Sequence, residues 1–450
     1  MRNIGCRFLV SVCLLLFIYA CSDRDDELGS SIPEDSVDAY SAEVVTEWYD
    51  LIKTLTTETP GYTPPVAARA FGYTSVALYE ALVPGMPNKV SLSGKLTDLN
   101  LAGPVQEVKA YHWPTVANTV LADMTGYFYS NTSQDRLTAI AELRERFASR
   151  FTSELEADVY EASSQQGERI AKAIIAWSES DGGKNAQSRN FPDDYAPPEG
   201  EQFWIPTAPD FQPALQPYWG GNRPFLAANV AENIMPAVPP EFSSEESSVC
   251  YQRALEVYET VNTLTTEQLV IAEYWSDDPI TTATPPGHSI SILNQLIKEN
   301  DTSLDVAAEV FAKLGIGISD AFISCWKVKY DIAYIRPITF INRYIDADWS
   351  PVLNTPPFPE YTSGHSVQSG AMAAILTEYF GENYRFTDRT HENRSDIDGT
   401  PRVYDSFRAM AEEAAISRLY GGIHFTEAID LGLKQGYDIG NNVVALKLGS

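Results

Sequence analysis

The chain has 450 residues, 44% apolar and 21% charged, a globular balance long enough for one large domain or two to three ordinary ones with a sizeable core. Its formal charge of -29 argues against nucleic acid and against a polybasic membrane surface, since both need clustered Lys and Arg facing phosphates. An acidic, soluble exterior is what remains.

Residues 1–20 read as a processing signal: Arg2 and Arg7 precede an apolar run, Phe8 to Tyr19, too short to span a bilayer. Ile18-Tyr19-Ala20-Cys21 resembles a bacterial lipobox, which implies cleavage before Cys21 and a lipid on its thiol. The expectation is an exported lipoprotein of the outer membrane or cell surface, with residues 21–36 as an acidic flexible linker. Only Cys250 and Cys325 then remain in the folded body, enough for at most one bridge and for no cysteine-based metal site.

Residues 37–245 read as a helical region. Apolar residues at three- and four-residue spacing predict helices over Ser36–Thr57, Pro65–Leu82, Val108–Tyr127, Ser133–Phe147 and Ser153–Ser178. Residues 180–245 break the pattern with Pro, Gly, Asp and aromatic residues and predict a long ordered loop, whose Trp204, Tyr218, Trp219 and Phe225 fill a crevice or roof a site. In 246–450 helical patterns return at Ser244–Leu264, Thr266–Trp275, Ser289–Asn300, Ser303–Tyr334, Ser363–Phe380, Val403–Gly421 and Phe425–Leu448. The succession predicts an all-α protein with a large helical-bundle fold.

Three short segments carry chemistry. In Lys329 to Arg336-Pro337, a seven-residue separation turns about 700° on a helix and puts both cations on nearly one face. In Pro359-Glu360-Tyr361-Thr362-Ser363-Gly364-His365 a loop enters a helix, where unpaired N–H groups and the Ser363 hydroxyl suit an anion and His365 sits beside them. In Ser417-Arg418-Leu419-Tyr420-Gly421-Gly422-Ile423-His424 the glycine pair permits a left-handed residue that swings His424 toward the place Arg418 addresses.

Together these segments resemble the signature of the phosphatidic acid phosphatase type 2 and vanadium-dependent haloperoxidase superfamily, with order and spacings kept from Lys329 to His424. The resemblance implies an oxyanion pocket in which Lys329, Arg336, Arg418, the Gly364 amide and the Ser363 hydroxyl hold vanadate. His424 would bond the vanadium, and His365 would act as acid and base. Trp326 and Phe358 match aromatic positions flanking the halide region.

Two positions depart from the pattern: Thr362 stands where Pro is usual, and Ala428 where many members carry an Asp that orients the second histidine. Glu427 or Asp430 could replace that carboxylate by another backbone path, or a backbone carbonyl could position His424; a carbonyl suits a static ligand better than a nucleophile. Upstream, Asp278 or its neighbour Asp277 is the candidate carboxylate for His365 or Arg418, with Asp278 preferred as a catalytic residue. His288 reads as a loop residue in a Pro-rich turn, and His112 and His391 show no evident partners.

The expected function is a lipid-anchored haloperoxidase that uses vanadate and hydrogen peroxide to oxidise halide, with an unspecified organic acceptor. The alternatives are an acid phosphatase with His424 as nucleophile and a surface oxyanion-binding lipoprotein without turnover.

Overall fold

The computed structural model describes residues 36–102 and 111–449. Outside the described residues lie the signal segment, Cys21, nearly all of the acidic linker and the first residues of the helix expected from Val108.

Five helices build the first half: α1 Glu43–Glu58, α2 Pro64–Leu82, α3 Trp113–Phe128, α4 Gln134–Glu154 and α5 Ala157–Ser178. The second half follows with α6 Val249–Asn262, α7 Thr266–Tyr274, α8 Thr284–Glu299, α9 Leu304–Ile332, α10 Pro337–Tyr344, α11 Gly364–Phe380, α12 Phe407–Tyr420 and α13 Thr426–Val444. Their starts obey local chemistry. Pro sits in the first turn of α2, α3, α8 and α10, where its missing N–H costs nothing. Thr265 and Gln268 close a capping box on α7.

Two of these starts correct the sequence reading. The prolines at 285 and 286 form the opening turn of α8 instead of preceding it, so His288 lies on a helix and not in a loop. Lys329 and Arg336 do not share a helix. Ala333 takes a left-handed φ of 53° and ends α9, while Arg336 is the extended N-cap of α10 ahead of Pro337. A short antiparallel pair, β1 Phe386–Asp388 and β2 Arg402–Tyr404, also went unforeseen.

The core is organised on α9, buried for most of its 29 residues and packed against α2, α11 and α13. Helices α11 and α13 meet almost backbone to backbone: a Cβ on Gly436 would lie 2.1 Å from the Val367 carbonyl oxygen, so only glycine permits that approach. A second apolar cluster, including Ala254, Val257, Ile335, Phe340, Ile341 and Phe425, joins α6 and α10 to the segment leading into α13.

The long loop is pinned to α9 by Asp320. This buried carboxylate accepts the amides of Phe225 (2.7 Å) and Leu226 (2.9 Å) and the Asn229 side chain (2.8 Å), while burial pushes its pKa up to about 7. Trp204, Trp219 and Phe225 are buried as crevice fillers, whereas Tyr218 is 55% exposed. Cys250 and Cys325 are both free thiols. Among the described residues no helix is long and apolar enough to cross a membrane.

Candidate oxyanion site

The C-terminal end of α9, the 358–365 segment and the α12–α13 turn converge. Lys329 Nζ donates to the carbonyls of Pro359 and Glu360, both at 2.9 Å, leaving one donor of its three uncommitted. Arg336 donates through Nε to Phe358 O (2.9 Å) and through Nη1 to Ile423 O (2.7 Å). Its Nη2 is buried with no partner among the described residues. Both cations lie 5.0 Å from the centre of the Phe358 ring, which separates them from open solvent. Burial lowers Lys329 to about 7 and Arg336 to about 10.

Ser363 caps α11, its hydroxyl accepting from Ser366 N at 3.3 Å, and its own amide donates to Ala428 O at 3.0 Å. The Gly364 and His365 amides are thus the first N–H groups of the helix, with no intrahelical partner available. Thr362, in place of the usual Pro, is bound within the core by donating to Gln435 Oε1 at 2.8 Å.

The carboxylate that orients His424 is Glu360, which the sequence reading missed. His424 Nδ1 is 2.8 Å from Glu360 Oε1, which also accepts the Phe425 amide at 2.9 Å. Glu427 instead pairs with Arg253 at 2.6 Å, and Asp430 is exposed. With Nδ1–H given to Glu360, the lone pair of His424 falls on Nε2, 3.2 Å from Arg336 Nη1. Burial, then Arg336 and Lys329, hold the imidazole well below its usual range, so it is neutral at neutral pH. Gly422, at φ 76°, makes the left-handed turn that brings His424 here. Glu360 sits before the Ser363-Gly364-His365 element; a carboxylate in the segment that holds the anion was the available signal.

Across the pocket, α7 presents its last carbonyls. Arg418 Nη2 donates to Ala272 O at 3.2 Å, and His365 hydrogen-bonds with the Trp275 backbone. His365 Nε2 is buried without a partner among the described residues, and burial together with Arg418 keeps this ring neutral as well. Asp278 opens into the same cavity, where the surrounding protein raises its pKa against the pull of Arg418. No hydrogen bond joins Asp278 to His365 or Arg418 among the described residues.

His365, Arg418, His424, Gly364, Trp326 and Phe358 all face one cavity of about 410 Å³, with Lys329 and Arg336 buried just behind its wall. The Trp326 and Phe358 rings, 4.9 Å apart, form its apolar side. Three cationic side chains, one with an unpartnered guanidinium nitrogen among the described residues, two helix-start amides and two neutral imidazoles fit a tetrahedral oxyanion that can also take a nitrogen ligand. Vanadate meets that description.

Behind α7 lies a second buried group. His288 on α8 stands between Asp277 (3.0 Å from Nδ1) and Asp388 (2.7 Å from Nε2), and in the absence of a cation these carboxylates raise it to about 10 against the effect of burial. His391 does have a neighbour: its Nε2 is 3.2 Å from Asp277 Oδ1. His112 also has one, Thr115 Oγ1 at 2.8 Å, at the N-cap of α3.

Comparison with known proteins matches residues 309–448 to the VCPO second helical-bundle domain. A vanadium chloroperoxidase of Curvularia inaequalis is 27% identical over 132 residues, 24% of this chain and only 22% of the relative's length. The crystal structure of a bacterial vanadium-dependent iodoperoxidase is 34% identical, with a TM-score of 0.81 over 91% of this chain and 98% of that one. The holo and apo forms of a bacterial vanadium-dependent chloroperoxidase share the fold at 15% and 16% identity. Their TM-scores are 0.63 and 0.66, over 86% and 91% of this chain and 92% and 98% of theirs.

Proposed function

The chain belongs to the vanadium-dependent haloperoxidase family, and from that premise we propose that it uses vanadate and hydrogen peroxide to oxidise halide to a hypohalous acid equivalent. The observation that carries this reading is the setting of His424: Glu360 sits on its Nδ1, and its Nε2, 3.2 Å from Arg336 Nη1, faces a pocket where Arg336 Nη2 and His365 Nε2 have no partner among the described residues. The likeness to an iodoperoxidase over nearly the whole chain supports iodide as the first halide to test.

In this reading Lys329, Arg336 and Arg418, with the Gly364 amide and the Ser363 hydroxyl, would hold the oxyanion, and His424 Nε2 would bond its metal. Bound vanadate supplies the Lewis acidity that makes hydrogen peroxide open to attack by halide. His365 Nε2, kept unprotonated by burial and Arg418, takes a proton from incoming peroxide and returns it to the departing oxygen. Trp326 and Phe358 thin out water on one side, so the fixed cations act at low dielectric.

A carboxylate on His424 orients a metal-ligating imidazole and a nucleophilic one equally well, so the absent Asp at position 428 does not separate peroxidase from phosphatase. Assay does. Metal-stripped protein should gain iodide oxidation on addition of orthovanadate, with phosphate competing. Phosphate release from a model ester, with no vanadate-dependent oxidation, would replace this reading with the phosphatase one. Vanadate binding without either activity would leave an oxyanion receptor.

A further inference from the structure

We propose that Asp277, His288 and His391 form a site for one divalent first-row transition-metal cation, with Zn²⁺ best suited to the donor set, next to the oxyanion pocket, whose cavity Asp277 also lines. The residues come from three places: the turn after α7, the first turns of α8 and the segment after β1. Their donor atoms lie within 4.8 Å of one another, and each residue is only 2% exposed.

The least well satisfied member is His391, whose Nε2 lies 3.2 Å from Asp277 Oδ1 but outside good hydrogen-bond geometry with it, and which has no other polar partner among the described residues. If that nitrogen carries the proton, a buried donor is misdirected; if it carries the lone pair, the lone pair faces a carboxylate oxygen. A cation between the two atoms resolves the second case directly and the first once the proton has left Nε2.

His288 has the outer support expected of a metal ligand. Its Nδ1 faces Asp277, while Nε2 is 2.7 Å from Asp388 Oδ2. Asp388 is itself fixed, Oδ2 accepting from Tyr274 OH and Oδ1 from Thr390 N, each at 2.9 Å. A carboxylate on the remote nitrogen sets the tautomer and ring orientation of ligating histidines. Among the described residues no Lys or Arg pairs with Asp277 or Asp388, so a dication would balance two buried negative charges. Two imidazoles and one carboxylate suit Zn²⁺ with a fourth position open, whereas Ca²⁺ and Mg²⁺ require mostly oxygen donors.

The cluster also backs the oxyanion site. The Trp275 indole stacks on His288 at 4.6 Å, and the Trp275 backbone hydrogen-bonds with His365.

The test uses the untagged protein, dialysed against chelator and titrated with Zn²⁺ by calorimetry, without vanadate, peroxide or halide, so its outcome is independent of the haloperoxidase reading. Co²⁺ serves as a second probe through its visible absorption. Wild type should bind one equivalent with a raised thermal midpoint. His391→Ala should weaken Zn²⁺ by about 10²-fold or more, and Asp388→Asn by about 10- to 100-fold, the usual cost of removing an outer partner. His391→Gln carries the comparison if the alanine variant does not fold, with far-UV circular dichroism as the check. Failure of wild type to take up either ion, or unchanged Zn²⁺ affinity in the folded variants, would overturn the proposal.

Discussion

The oxyanion pocket and the Asp277–His288–His391 group adjoin beyond the α7 C-terminus, where Asp277 lines the cavity of the first, and both are built on buried histidines, yet their electrostatics are opposite. In the pocket, Lys329, Arg336 and Arg418 crowd around neutral imidazoles and await negative charge. In the second group, Asp277 and Asp388 surround His288 and favour positive charge there. A buried histidine therefore has no fixed chemistry of its own. The sign of the groups around it decides whether it serves beside an anion or beside a cation, and both arrangements accommodate a charge that the bare protein would be expensive to leave unbalanced.

The largest test of that contrast lies within the pocket. His365→Ala should keep much of the vanadate affinity while turnover at saturating vanadate falls about 10²- to 10⁴-fold, the usual worth of acid–base assistance. His424→Ala should instead show its main loss in vanadate affinity, because the proposed nitrogen ligand is gone. A vanadate titration paired with turnover measures both, and equal loss of vanadate in the two variants would contradict the roles assigned.

Glu360→Gln should weaken vanadate by about 10- to 100-fold through misorientation of His424, with the fold retained by circular dichroism. An unchanged dissociation constant would show that the Glu360 contact does not tune the ligand.

A smaller effect follows from pH. Burial lowers Lys329 to about 7 and raises Glu360 to about 7. As pH rises through that value the empty pocket loses a positive charge and gains a negative one, both unfavourable to an oxyanion. Vanadate affinity, followed by quenching of intrinsic fluorescence, should therefore fall from below pH 7 to above it. Bound anion favours protonated Lys329, so in the complex the fall is displaced upward.

The smallest effect is expected at Asp278. This carboxylate keeps access to solvent at the cavity mouth although the protein around it raises its pKa, and such a contact with Arg418 is worth about 0–1 kcal/mol, so Asp278→Asn should tighten vanadate by no more than about fivefold and leave turnover near wild type. A drop in turnover of about 10²-fold would make Asp278 a catalytic residue.

The two regions also differ in how they could be read. The sequence alone determined the helical character of the chain, through three- and four-residue apolar spacing, and the composition of the oxyanion pocket, through three short segments whose residue types and order are local properties. It also determined that Gly421-Gly422 could turn the chain toward His424, because only glycine adopts that backbone cheaply, and Gly422 does so at φ 76°. Tertiary structure decided what lay beyond those spacings. It placed Glu360, 64 residues away in sequence, on His424, and it ended α9 at Ala333 so that Lys329 and Arg336 meet from separate helices. It brought Asp277, His288, Asp388 and His391 together across as many as 100 residues between bonded partners. No local period encodes such contacts, since packing of distant elements makes neighbours of residues whose own segments carry no mark of it.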